Sequence, residues 1–166
     1  MSINKIFDQI WINSLVKKLK NIRKKSIQIF DVDEESEVVK IEKIGISNLG
    51  QGVVILTTEE GKEFPISAFS AETARNISDF QEGKTSQNPS LYNMLEEICE
   101  DTGLLLVKVR IFQSGKALRA NLYFAGKKEL ILRNYRASDA IALACFYKIP
   151  ILIRKDLIHQ QPELQP

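Results

Sequence analysis

Two stretches of the chain set 65 residues apart run through a similar order of residue types, and this repetition limits the available folds more than any other feature. Glu60-Gly61-Lys62-Glu63-Phe64 lies over Ala125-Gly126-Lys127-Lys128-Glu129-Leu130, and a one-residue slip then sets Phe69-Ser70-Ala71 over Tyr135-Arg136-Ala137. Short β-branched runs bounded by glycine surround both stretches, the signal for strands and hairpins. The first set predicts strands over 38–47, 52–58 and 62–67 and a helix over 70–80, with Glu60-Gly61 as a tight turn. The second set predicts strands over 104–112, 117–124 and 129–135, then a helix from Arg136, with Ala125-Gly126 at the corresponding turn. Between them, 81–90 reads as a surface loop and 91–100 as an amphipathic helix with Leu91, Met94, Leu95 and Ile98 inward, ended by Gly103. A short strand over 149–154 closes the pattern. One three-strand-plus-helix unit cannot bury its own apolar faces, so a tandem duplication predicts two copies merged into one α+β domain with a largely antiparallel sheet.

The 166 residues suffice for one such domain plus appendages. Residues 1–36 form the first appendage. Ile3, Ile6, Phe7, Ile10, Trp11, Leu15, Leu19 and Ile22 recur at helical spacing, and Lys17, Lys18, Lys20, Arg23, Lys24 and Lys25 make the second half basic. Asp31, Asp33, Glu34, Glu35 and Glu37 then reverse the sign, which places a solvated junction and a domain boundary near Ser36. The amphipathic helix has three competing roles: packing on the domain or a sister subunit, contact with phosphate backbones, or lying on an anionic membrane. Packing with a solvated basic face is the simplest. The domain is expected over 37–158, with a fraying tail over 159–166.

No apolar run reaches the roughly 18–20 residues of a membrane span, and the expected setting is cytoplasmic. Cys99 and Cys145 lack metal-ligand spacing and read as buried reduced thiols. A formal charge of +2 is too small to indicate a nucleic-acid partner by itself.

The run Arg136-Ala137-Ser138-Asp139-Ala140-Ile141-Ala142-Leu143-Ala144 puts small and apolar side chains at 137, 140, 141 and 144 on one helix face, which predicts close packing on another layer. Ser138 or a neighbour is expected to cap the helix. Asp139 in a first turn is a favourable dipole partner, and Arg136 can simply pair with it, so a structural role competes with a chemical one. Glu72 stands in the same position with the same alternative. Ser138 has no His-Asp partner and suits a cap better than a nucleophile. Tyr135, Phe146, Tyr147 and Phe124 can stack on bases, although aromatics at strand and helix positions usually belong to a core.

These residues carry a resemblance. The Arg136–Ala144 run before Pro150-Ile151, together with Phe64-Pro65-Ile66 leading into Ala71-Glu72 and the Leu95-Glu96 helix, is similar to the bifunctional nuclease family over about 38–158. The resemblance implies a duplicated strand-and-helix fold, a homo-oligomer and, for some members, degradation of both DNA and RNA. Two departures stand out. Ala137 replaces a proline that would only pre-set the helix entry. Asn88-Pro89-Ser90 replaces a Thr-His-Asp step, leaving His159 as the single histidine.

Phosphodiester hydrolysis generally needs a charge clamp on the phosphate, an activated water and carboxylates that hold a divalent metal, here Mg²⁺ or Mn²⁺. The candidate carboxylates are Glu72, Asp79, Glu96, Glu97 and Asp139, of which Glu72 and Asp139 hold nearly equivalent places in the two repeats. Arg136, Arg133 and Arg75 are the candidate phosphate clamps. The expected function is therefore a metal-assisted nuclease acting on DNA and RNA. Loss of the Thr-His-Asp step favours the alternative, a non-catalytic oligomeric module that binds protein or ligand. A third reading is nucleic-acid binding without hydrolysis through the basic helix.

Overall fold

The structure is a computed structural model that describes residues 35–84 and 88–159. The expected N-terminal helix, most of its acidic linker and residues 160–166 lie outside the described residues. Among the described residues seven strands form one sheet: β1 (Ser36–Ile46), β2 (Gln51–Thr58), β3 (Glu63–Ser70), β4 (Leu105–Ser114), β5 (Ala117–Ala125), β6 (Leu130–Arg136) and β7 (Ile151–Arg154). Among the described residues four helices accompany them: α1 (Ala71–Gln81), α2 (Leu91–Thr102), α3 (Ala137–Tyr147) and α4 (Lys155–His159). The domain is thus mixed α+β. Among the described residues no helix is long and apolar enough to cross a membrane.

The strand order is β3-β2-β1-β7-β4-β5-β6. Two three-stranded meanders flank β7, which pairs antiparallel with β1 and parallel with β4, so the sheet is antiparallel at every other junction. The two meanders match in detail. A register irregularity falls between Ile41 and Lys43 in one and between Leu106 and Lys108 in the other. A left-handed residue precedes each helix, Ala68 at φ 63° and Asn134 at φ 66°, and turns the chain from strand to helix. The helices that follow are both 11 residues long.

Strand alternation explains the core. Val54 and Leu56 of β2, Phe64 and Ile66 of β3, and Ala120, Leu122 and Phe124 of β5 point to one face and are buried. In β7, Ile151, Leu152 and Ile153 are all buried, so the central strand is covered on both faces. α1 lies against β1 and β2, α3 lies against β4 and β5, and the two helices pack on each other. Ala137, Ala140, Ile141, Ala142 and Ala144 are buried in α3, where small side chains let the helix approach closely. Gly126 has a similar cause: a Cβ there would meet the Gly103 carbonyl oxygen at 2.5 Å.

Two local expectations are corrected. Ser138 is not the cap of α3; Arg136 holds that position without a side-chain cap bond, and Ser138 is buried inside the first turn. On α2 the inward residues are Tyr92, Leu95 and Cys99, whereas Leu91, Met94 and Ile98 are exposed at 76%, 52% and 50%. The expected helical period was right, but the sheet is met by the neighbouring stripe. Leu157 and Ile158 on α4 are buried in the core. Phe124 is a core residue, as aromatics at strand positions usually are. Cys99 is buried, Cys145 is half-buried, and both are free thiols.

Candidate functional site

A cleft of about 1100 Å³ opens between α1, α3 and the start of α2. Each wall follows from helical period. Along α1, Glu72, Thr73, Asn76, Asp79 and Phe80 recur on the side away from buried Ala74 and Ile77. Along α3, Asp139, Leu143 and Phe146 form the single stripe of that helix left to line the cleft, with Arg136 before it and Lys148 after it. α2 contributes its first turn, including Tyr92 and Asn93.

The two helix mouths are built differently. Ser70 caps α1, its Oγ accepting from the Thr73 N–H at 3.1 Å. At α3, Arg136 Nε donates to Asp139 Oδ2 at 2.7 Å, and the arginine side chain remains 72% exposed. An exposed pair of this kind is weak and can open for another anion. α2 starts with Asn93 Oδ1 accepting from both the Ser90 N–H at 2.9 Å and the Ser90 hydroxyl at 2.7 Å.

Tyr92 joins the walls. Burial pushes its phenol above the usual range; a hydrogen bond with the Asn76 side chain opposes this, and the negative charges of Asp139 and Glu72 add to the rise. Both carboxylates therefore act on one hydroxyl, which stays protonated through neutral pH. At the other end Lys84 pairs with Glu82 at 2.6 Å and Asp79 at 3.7 Å, which holds the ammonium above its ordinary pKa and the Glu82 carboxyl below its own.

Of the residues singled out by sequence, Glu72, Asp139, Arg136 and Asp79 line the same cleft. Arg75 on α1 and Arg133 on β6 are exposed and are not among its lining residues. Glu96 and Glu97 are likewise outside it. Sequence reasoning missed Tyr92, Asn76, Phe80, Lys84 and Lys148. One signal existed: Phe80 lies 66 residues before Phe146, the same slip that aligns the helix starts. Among the described residues no group of three or more His, Cys, Asp and Glu is arranged to hold a metal ion.

No curated protein matches the chain. A family model for the bifunctional nuclease domain matches residues 54–164, from the middle of β2 to beyond α4. With about two thirds of its 166 residues so matched, the chain belongs to the bifunctional nuclease domain family.

Proposed function

We propose that the cleft binds nucleic acid and hydrolyses its phosphodiester bonds with the help of a divalent cation. The observation that carries this reading is the placement of Glu72, Asp139 and Arg136 on the walls of one cleft in a bifunctional nuclease domain. Arg136 grips a phosphate, exchanging its exposed partner Asp139 for the substrate. Glu72 and Asp139 would hold the cation or orient the attacking water. Two carboxylates suit Mg²⁺ or Mn²⁺, which keep several waters and lean on one or two protein carboxylates plus substrate phosphates, better than zinc. When bound, such an ion supplies charge neutralisation at the phosphate. Arg75 and Arg133 extend the positive surface outside the cleft in this reading. The matched irregularities, left-handed residues and helix lengths of the two meanders support descent from a duplicated unit.

Purified protein should cleave labelled single-stranded DNA and RNA with Mg²⁺ or Mn²⁺ and stop when chelator is added. A Glu72→Ala, Asp139→Ala double variant should lose at least ~100-fold in rate, the scale of removing groups that stabilise transition-state charge. Cleavage that persists in that variant would place the chemistry elsewhere. A non-catalytic oligomeric module is the second reading, favoured by the exposed Leu91, Met94 and Ile98 along α2. It predicts no chelator-sensitive cleavage, and a homo-oligomer that dissociates in a Met94→Glu, Ile98→Glu variant in analytical ultracentrifugation.

A further inference from the structure

Three aromatic rings in the cleft are unused by the chemistry above. Phe80 meets Tyr92 edge-on, with centroids 4.8 Å apart, and Phe146 edge-on at 5.1 Å. Tyr92 and Phe146 are 5.7 Å apart with planes only 32° from each other, so they present similarly oriented rings. All three line the cleft and are half-buried, unlike the core aromatics Phe64 and Phe124. They come from three different helices. The cluster lies on the wall of a cleft whose polar lining holds Arg136, Lys84 and Lys148 beside Glu72, Asp79 and Asp139.

We infer that this aromatic wall is a slot for an unpaired base, so that the substrate is single-stranded DNA or RNA and not duplex. The inference rests on the nucleic-acid reading of the cleft but not on hydrolysis. Arg136 and Lys148 bracket α3, about 18 Å apart along its axis at 1.5 Å per residue, and they line the same cleft as the rings. A backbone that follows these cations brings a base to the rings. Every base has a π-face, so stacking of this kind tolerates any sequence. A base in a duplex has both faces covered, and exposing one costs a few kcal/mol of unstacking and unpairing. Nothing comparable opposes entry of a base from a single strand.

The test is fluorescence anisotropy with the full chain in chelator, using a labelled homopolymer single strand and a duplex of the same length. The single strand should bind at least ~10-fold more tightly, since stacking supplies roughly 1–3 kcal/mol per base. Tyr92→Leu and Phe146→Leu should each weaken single-strand binding by ~5-fold or more, leave duplex binding and the salt slope unchanged, and keep the far-UV circular dichroism of the parent. Tyr92→Phe keeps a ring and should retain the affinity, which separates stacking from the hydroxyl. Equal binding of single strand and duplex, or leucine variants that fold and bind like the parent, would overturn the slot while leaving hydrolysis standing. Ring-dependent single-strand binding without chelator-sensitive cleavage would overturn hydrolysis and support the slot. Binding of neither probe would overturn both.

Discussion

Lys148 stands at the C-cap of α3 in the left-handed region, φ 54°, a conformation that favours glycine and that other residues occupy at a cost of roughly 1–2 kcal/mol. Its N–H donates to the Cys145 carbonyl at 3.3 Å, and the next N–H, of Ile149, donates to Ala144 at 3.0 Å. The local geometry therefore asks for glycine while the cleft receives a lysine. Lys148→Gly should raise stability by about 0.5–1 kcal/mol, visible as a higher melting temperature, and lower oligonucleotide affinity with a salt slope reduced by about 1. An unchanged slope would mean that the lysine does not meet phosphate. Caps separate at the same scale. Ser70→Ala removes a bond to the Thr73 N–H and should cost about 1 kcal/mol in chemical denaturation, whereas Ser138→Ala should cost no more than about 0.5 kcal/mol and leave cleavage intact. Ser70 could be read from its place before Ala71, but Ser138 misled, because its neighbour Arg136 in extended conformation takes the cap position.

At the scale of elements, α2 departs most from its amphipathic pattern. Glu96, Glu97, Glu100 and Asp101 crowd one helix; burial first, and then the charges of Glu100 and Glu97, raise the Glu96 carboxyl above its ordinary value. A carboxyl raised in the fold favours the protonated state, so Glu96 subtracts stability at neutral pH and stops doing so as pH falls through the carboxylate range. Glu96→Gln should therefore raise the melting temperature by about 1–2 °C at pH 7 and have no stabilising effect at pH 4 or below. A gain independent of pH would assign the effect to packing. Periodicity placed α2 correctly in the chain and Gly103 at its end, yet chose the wrong stripe. Leu91, Met94 and Ile98 are as apolar as Leu95, and only contact with β4 and the cleft decides which stripe is covered. For α3 the reading succeeded because buried alanines admit few arrangements other than close packing on a second layer.

The described domain is joined through β7, four residues that hydrogen-bond to both meanders through β1 and β4. Ile153 is fully buried at that junction. Ile153→Ala should cost about 2–5 kcal/mol and lower a single cooperative melting transition by several degrees. Two separate transitions would show that the meanders fold independently. Much of this architecture was legible. The repeat offset, the glycine-bounded β-branched runs and the Ala-rich helix are local signals, and strand period and helix period convert such signals directly into elements, so the sequence by itself determined six strands in two sets, a short closing strand, the helices between them and the family. It did not determine that the two sets meet through β7 rather than edge to edge, because any edge strand offers the same backbone groups to any other. Nor did it determine that Glu72, Asp139 and Arg136 share a cleft with Tyr92, Phe80 and Phe146 while Arg75 and Arg133 do not. Those residues are up to 74 positions apart in the chain. Their meeting follows from how α1, α2 and α3 pack, which is a property of buried surfaces summed over the whole domain and is written in no single stretch of it.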